Sequence, residues 1–110
     1  MSRVSAKGPL GQKVERQGKD PAHMAKVAQL PCVICHEFGM QQRSRTAVHH
    51  CIHGRYGTRK APDAMTIPIC DGHHQGLVDT SKLASHQRPS EWRRLYGEDV
   101  SWLSWVEERI

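Results

Sequence analysis

Apolar residues fall along the chain in short groups. Met24, Val27 and Ala28 lie at i, i+3 and i+4, the spacing of one helix face. Asp20 and Pro21 supply the helix start, a capping side chain followed by a residue preset for the first turn. Pro31 stops that helix. Ala47 to Ile52 and Thr66 to Ile69 read as two short strands, the second at an edge because Pro68 has no N–H to donate. Residues 36–46 read as loop, as does the Gly-bearing stretch Gly54 to Lys60 between the strands. Asp71 stands as the cap of a helix opening at Gly72. Ser90 stands as the cap of another that carries Trp92, Leu95 and Tyr96 and ends at Gly97. A last helix from about residue 101 places Trp102, Trp105, Val106 and Ile110 on one face. Residues 1–19 show no apolar period and are broken by Gly8, Pro9, Gly11 and Gly18, so they read as a flexible basic arm. The pattern predicts an α+β fold, with the arm at 1–19 and one domain over 20–110. The helical spacing of the three Trp marks them as core rather than as a base-stacking set.

Composition makes that core thin. Of 110 residues 37% are hydrophobic and only one is Phe, so an added staple is expected in a domain this small. Eight His beside four Cys favour a metal over a disulfide framework, because His adds nothing to disulfides. The opening Met-Ser-Arg-Val-Ser-Ala-Lys has no apolar run behind it, and no stretch nears the ~20 apolar residues of a membrane span. The expectation is a cytoplasmic protein with reduced thiols and no membrane partner. The net charge of +5 is uneven. Arg43, Arg45, Arg55, Arg59 and Lys60 fill residues 41–60 with no acid among them, and the arm is basic too. Two basic blocks suit a polyanionic partner, most simply nucleic acid; a solvated basic surface is the plain alternative.

Cys32-x2-Cys35 and Cys70-x2-His73 are two short-spaced ligand pairs. Each knuckle would set two ligands about 3–4 Å apart on a tight turn, and two such pairs make one tetrahedral structural zinc site. A redox Cys-x2-Cys would need a thioredoxin-like βαβ pattern, and none is present. Cys51 competes for the fourth position but has no near ligand partner except His53, so it reads as a small core residue. His49-His50 sit side by side on the first strand, and His74 follows the second knuckle on a helix.

These residues carry a family resemblance. Asp20-Pro-Ala-His-Met-Ala, Leu30-Pro-Cys-Val-Ile-Cys35, His49-His50, the loop from Gly54 to Asp63, and Thr66-Ile-Pro-Ile-Cys70 running into His73-His74 resemble the HNH, or ββα-metal, endonuclease superfamily. Within it they resemble the phage-type recombination-enhancement nucleases, the RecA-dependent branch. The resemblance covers roughly residues 20–97. It implies a small zinc-stabilised ββα-metal core with an extra N-terminal helix and two C-terminal helices. It implies a metal-dependent DNA endonuclease of low sequence specificity, acting in phage or prophage recombination, with DNA and a RecA recombinase filament as partners. Beside the structural Zn2+ it implies one catalytic divalent metal (Mg2+, Mn2+, Ni2+ or Zn2+) and no small-molecule cofactor. His49 and His74 would be ligands of that ion and His50 the general base.

Two departures from the family pattern stand out. The chain has no Asn, so the middle letter of the motif is missing; Asp63 lies in the corresponding stretch, either orienting the loop that holds His50 or as a plain loop acid. The helix position four after His74 is Val78, where many members carry His. His86 or Asp79 is left to return to the ion. Arg43, Arg45, Arg55, Arg59 and Lys60 would contact phosphates. His36 reads as a hydrogen-bond neighbour of the first knuckle, His53 as a phosphate contact, and His23 as structural. A non-catalytic zinc-stabilised nucleic-acid-binding module, or a purely structural zinc domain, fits the same knuckles.

Overall fold

Asp20 caps the first helix as its position suggests. In a computed structural model its Oδ1 accepts the His23 N–H at 3.0 Å, and Pro21 opens α1 (Pro21–Ala28). The described residues are 18–53 and 60–110; nearly all of the basic arm lies outside them, and so do residues 54–59, with Arg55 and Arg59. The first knuckle is helical rather than a bare turn. Cys32 is the N-cap of α2 (Val33–Glu37), its sulfur accepting the Cys35 N–H at 3.4 Å. That helix takes residues 36 and 37 out of the expected loop. Its apolar residues, Val33 and Ile34, are fully buried.

Strands β1 (Thr46–His50) and β2 (Thr66–Cys70) pair antiparallel, from Thr46 opposite Cys70 to His50 opposite Thr66. Pro68 lies opposite Val48 in this two-stranded sheet, where either strand has a free edge that tolerates a missing donor. β1 stops short of the Ile52 end that the apolar run suggests. Cys51 still donates to Met65 O, but the next two N–H groups, of Ile52 and His53, turn to the Asp99 carboxylate at 2.8 and 3.1 Å. β2 is buried along its whole length beneath α1, α2 and the C-terminal helix.

The last residue of β2, Cys70, is also the N-cap of α3 (Asp71–His74). Asp71 is therefore not the cap. Its carboxylate instead accepts the N–H groups of Val78 at 2.7 Å and Asp79 at 3.0 Å, folding the following loop back. Gly76, at φ +69, makes that reversal, a backbone region that favours residues without a Cβ. α4 (Pro89–Tyr96) starts at Pro89, so Ser90 lies inside the helix and caps nothing; Gly97 ends it. The last helix starts as a 3-10 turn over Asp99–Trp102 and continues as α5 (Leu103–Glu107). Trp105 and Val106 face the core, Trp102 is half-buried, and Ile110 lies past the helix end, exposed.

The described residues thus form a small α+β unit of two antiparallel strands and five α-helices. Val27, Val33, Ile34, Ile67, Ile69, Trp92, Trp105 and Val106 join the four cysteines in one buried cluster. The Trp residues serve packing, as their spacing suggests. Among the described residues no helix is long and apolar enough to cross a membrane.

Candidate metal centres

The two knuckles meet at the base of β2. α2 presents Cys32 and Cys35, and the β2–α3 junction presents Cys70 and His73. All four are buried. His73 Nδ1 lies 3.5 Å from Cys32 Sγ, 3.6 Å from Cys35 Sγ and 3.5 Å from Cys70 Sγ, and the Cys35 and Cys70 sulfurs are 3.8 Å apart. Zinc bonds of about 2.3 Å to sulfur and 2.0–2.1 Å to nitrogen give tetrahedral edges of about 3.8 Å between sulfurs and 3.6 Å between sulfur and nitrogen. These four distances match the edges of a tetrahedral zinc site, and all four donors lie within 4.8 Å of one another. The set matches no disulfide, and all four cysteines are free thiols.

Proton chemistry agrees. Hydrogen bonding from Cys32, and next from His73, drives the Cys70 thiol well below its ordinary range. The same Cys32–Cys70 bond, together with burial, drives Cys32 upward. Burial and the Cys70 charge raise Cys35. A bound cation would take the three sulfurs as thiolates and displace their protons. The knuckle loop is held from outside as well, since Cys32 N–H donates to Gln42 Oε1 at 2.7 Å while Gln42 Nε2 donates to Ser44 O and Thr46 Oγ1. A buried Cys32, Cys35, Cys70 and His73 cluster can hold a structural metal.

Cys51 is not part of it. The thiol is buried and pushed up to about 12 by desolvation, then by the Asp99 charge, as befits an inert core residue. His36 does not reach the sulfurs either: its Nδ1 lies 2.9 Å from Glu37 Oε2 and its ring packs edge-on against Trp105.

A second cluster gathers one residue beyond the first. His49, His74 and His86 each bring a ring nitrogen, all within 4.8 Å of one another. His49 comes from β1 and is buried, His74 comes from the end of α3 and is half-buried, and His86 is exposed. Backbone pairing delivers His86: Ser85 N–H donates to His73 O and His86 N–H to His74 O, each at 2.9 Å. Its ring stands edge-on to His74, 4.4 Å between centroids, and His49 stands 5.2 Å from His74. Burial, then the neighbouring His49 and His86, push His74 down to about 4, so it is a neutral donor at pH 7. The set is exposed to solvent on its His86 side.

Val78 has no place in this geometry. α3 ends at His74, so a position four residues on lies in a loop, and Val78 is 81% exposed. Asp79 is also elsewhere, accepting from Ser81 N and Oγ and lying 3.9 Å from Lys82 Nζ. Of the two candidates to complete the set, the fold brings His86.

His50, the next residue of β1, is not one of this cluster's three donors. Its Nε2 pairs with Asp63 Oδ1 at 2.8 Å. Asp63 Oδ2 accepts the Asp20 N–H at 2.8 Å, and these two hydrogen bonds, the His50 one first, hold the Asp63 carboxyl below its ordinary range. Asp63 is therefore no plain loop acid. Arg43, Arg45 and Lys60 are exposed.

Sequence reasoning missed Asp99. This buried carboxylate accepts from His49 Nε2 at 2.9 Å. Burial pushes its carboxyl up, but the His49 and Ile52 hydrogen bonds outweigh that and hold it ionised, below its ordinary value. An acid in a Gly-Glu-Asp stretch ahead of a helix looks like a helix-start residue, and nothing in its spacing marks it as a partner of His49. His53, read from sequence as a phosphate contact, is drawn into the same group: its Nδ1 accepts the Asp99 N–H at 2.7 Å. His23 is half-buried on α1 and approaches neither cluster.

No family model, curated protein or solved structure matches the chain.

Proposed function

We propose that this chain is a metal-dependent endonuclease of the HNH type, hydrolysing phosphodiester bonds in DNA with little sequence specificity. The observation that carries the reading is the convergence of His49, His74 and His86 on a side open to solvent, with the His50–Asp63 pair one residue away on the same strand. The ligand set is three imidazoles, which bind a cation as uncharged ligands, so an ion held there would supply Lewis-acid stabilisation of the charge that develops on the phosphate. His50 has Nε2 occupied by Asp63 and, among the described residues, no partner at Nδ1, the nitrogen that would take a proton from water. The water oxygen attacks phosphorus, the bond to the 3′ oxygen breaks, and solvent reprotonates that oxygen. The products are 5′-phosphate and 3′-hydroxyl ends. Asp63 stabilises the imidazolium that forms on His50. Arg43, Arg45 and Lys60, with Arg55 and Arg59 outside the described residues, supply phosphate contacts that carry no sequence information. The setting this implies is the bacterial cytoplasm, for a phage- or host-encoded protein.

The test is cleavage of plasmid and of single-stranded DNA with Mg2+, Mn2+, Ni2+ or Zn2+ added in turn, bare and with a RecA filament on the DNA. Cutting is expected with at least one ion. His50→Ala should lower the rate by about 10²–10⁴-fold, the usual contribution of a general base, while DNA affinity and metal content stay as they were. If no ion supports cutting on either form of the DNA, the nuclease reading is wrong and the knuckles serve a binding module.

A further inference from the structure

Asp99 lies fifty residues from His49 in sequence, on the 3-10 turn that opens the C-terminal helix. It is 1% exposed, and a buried carboxylate persists only where donors compensate it. None of those donors belongs to its own helix, whose start has no side-chain cap bond. Among the described residues they come from β1 and the segment just past its end. Oδ2 accepts from His49 Nε2 at 2.9 Å and Ile52 N at 2.8 Å, and Oδ1 accepts from His53 N at 3.1 Å. The Asp99 N–H closes the group by donating to His53 Nδ1 at 2.7 Å. That nitrogen is also 3.1 Å from Oδ1, but the shorter contact comes from an N–H, so Nδ1 of His53 is the acceptor and carries no proton.

The consequence for His49 follows from ring chemistry. A carboxylate on Nε2 requires the proton there, which leaves the lone pair on Nδ1 and locks the ring plane. We propose that Asp99 is a positioning residue for the three-histidine centre, holding His49 in the Nε2–H tautomer with Nδ1 as the metal-ligating atom. This rests on reading the His49, His74 and His86 cluster as a metal site. It goes further by making the C-terminal turn part of that site. With a cation bound, the Asp99 carboxylate and the His49 imidazole would form a chain to it in which the outer charge raises ligand basicity and fixes its direction.

The experiment uses the full chain loaded with one equivalent of zinc, which fills the cysteine site, and titrates Ni2+ as the second ion by calorimetry. In Asp99→Asn, Ni2+ affinity should fall by about 10–100-fold with zinc content at the cysteine site unchanged. The His49 ring tautomer in the wild-type protein, read from long-range ¹H–¹⁵N correlations, should be Nε2–H. If wild type takes up no second ion, the metal reading and the Asp99 role fall together. If wild type binds Ni2+ and Asp99→Asn binds it equally well, the Asp99 role alone is overturned. Should the variant fail to fold, the wild-type tautomer decides: a proton on Nδ1 of His49 refutes the positioning role, and one on Nε2 upholds it.

Discussion

Replacing Cys32 by Ala should unfold this protein rather than loosen it. The fold gives the reason. α2 has five residues and α3 has four, far below the ~12–15 at which an isolated helix becomes marginal in water. Each is tied to the buried cluster at two points, α2 by Cys32 and Cys35, and α3 by Cys70 at its cap and His73 within it. Val33 and Ile34 are fully buried on α2, and exposing both would cost about 3–6 kcal/mol. A structural zinc contributes about 10–16 kcal/mol in apparent folding free energy, against a net stability of about 5–15 kcal/mol for a whole domain. The metal term is as large as the net, so losing one of its ligands removes the margin. The assay is thermal unfolding followed by near-UV circular dichroism and Trp fluorescence, since Trp92 and Trp105 are buried reporters, with zinc content measured in parallel. Wild type should hold at least one zinc and melt cooperatively; Cys32→Ala should lose that zinc and its folded signal together. Cys51→Ala is the control, an equally buried cysteine outside the cluster, and it should keep its zinc with a modest drop in Tm. An unchanged Tm and zinc content in Cys32→Ala, or zinc loss in Cys51→Ala, would refute the assignment.

Two further outcomes test the histidine cluster. His86 is exposed, so His86→Ala should change stability by less than about 0.5 kcal/mol yet abolish binding of a second ion, read by metal titration. Val78→His, by contrast, should leave second-ion affinity unaltered, because that side chain sits in a loop facing water; tighter binding would mean that α3 extends beyond His74. The last concerns pH. His74 resists protonation down to about 4 when folded and takes its proton near 6.5 when unfolded. Between those values the unfolded chain binds more protons, so stability must fall as pH is lowered from about 6.5, with nothing lost from this residue above that value. In protein carrying one equivalent of zinc, urea midpoints between pH 7.5 and 5.5 should decline less steeply for His74→Ala than for wild type; equal slopes would show that His74 is not desolvated.

The parts of the fold legible in sequence are those written in local spacing. Cys32, Cys35, Cys70 and His73 announce a tetrahedral set through two-residue spacers, and Asp20 with Pro21 announces a helix start, because both signals act within one turn of chain. α2 escapes a reading by period because five residues are too few to show one. Asp71 and Ser90 mislead for a related reason. Each has cap chemistry, but the competing residue one place earlier, Cys70 or Pro89, sets the boundary, and Asp71 spends its carboxylate on the loop at Val78 and Asp79. The third histidine is named in sequence only as a candidate, since an irregular pairing of residues 85–86 with 73–74 brings it in, and such pairings leave no periodic trace. Asp63 is legible by position and gains its meaning from geometry, where one carboxylate bridges His50 and the backbone of Asp20.

The two clusters are not independent centres that happen to be neighbours. His73 and His74 are consecutive residues of a four-residue helix that has no stability of its own. What holds His73 therefore holds His74: the cysteine set 3.5–3.6 Å from the His73 Nδ1 on one side, and the backbone pairing with residues 85 and 86 on the other. On the other side of the cluster His49 is fixed by Asp99, which reaches it from the start of the last helix. The three-histidine cluster is thus assembled from two directions, by the knuckles through α3 and by the C-terminal turn through one buried carboxylate. The coupling is reciprocal: an ion in the cysteine site that fixes His74 would tighten binding at the open cluster, and an ion in the open cluster would tighten the cysteine site by the same factor.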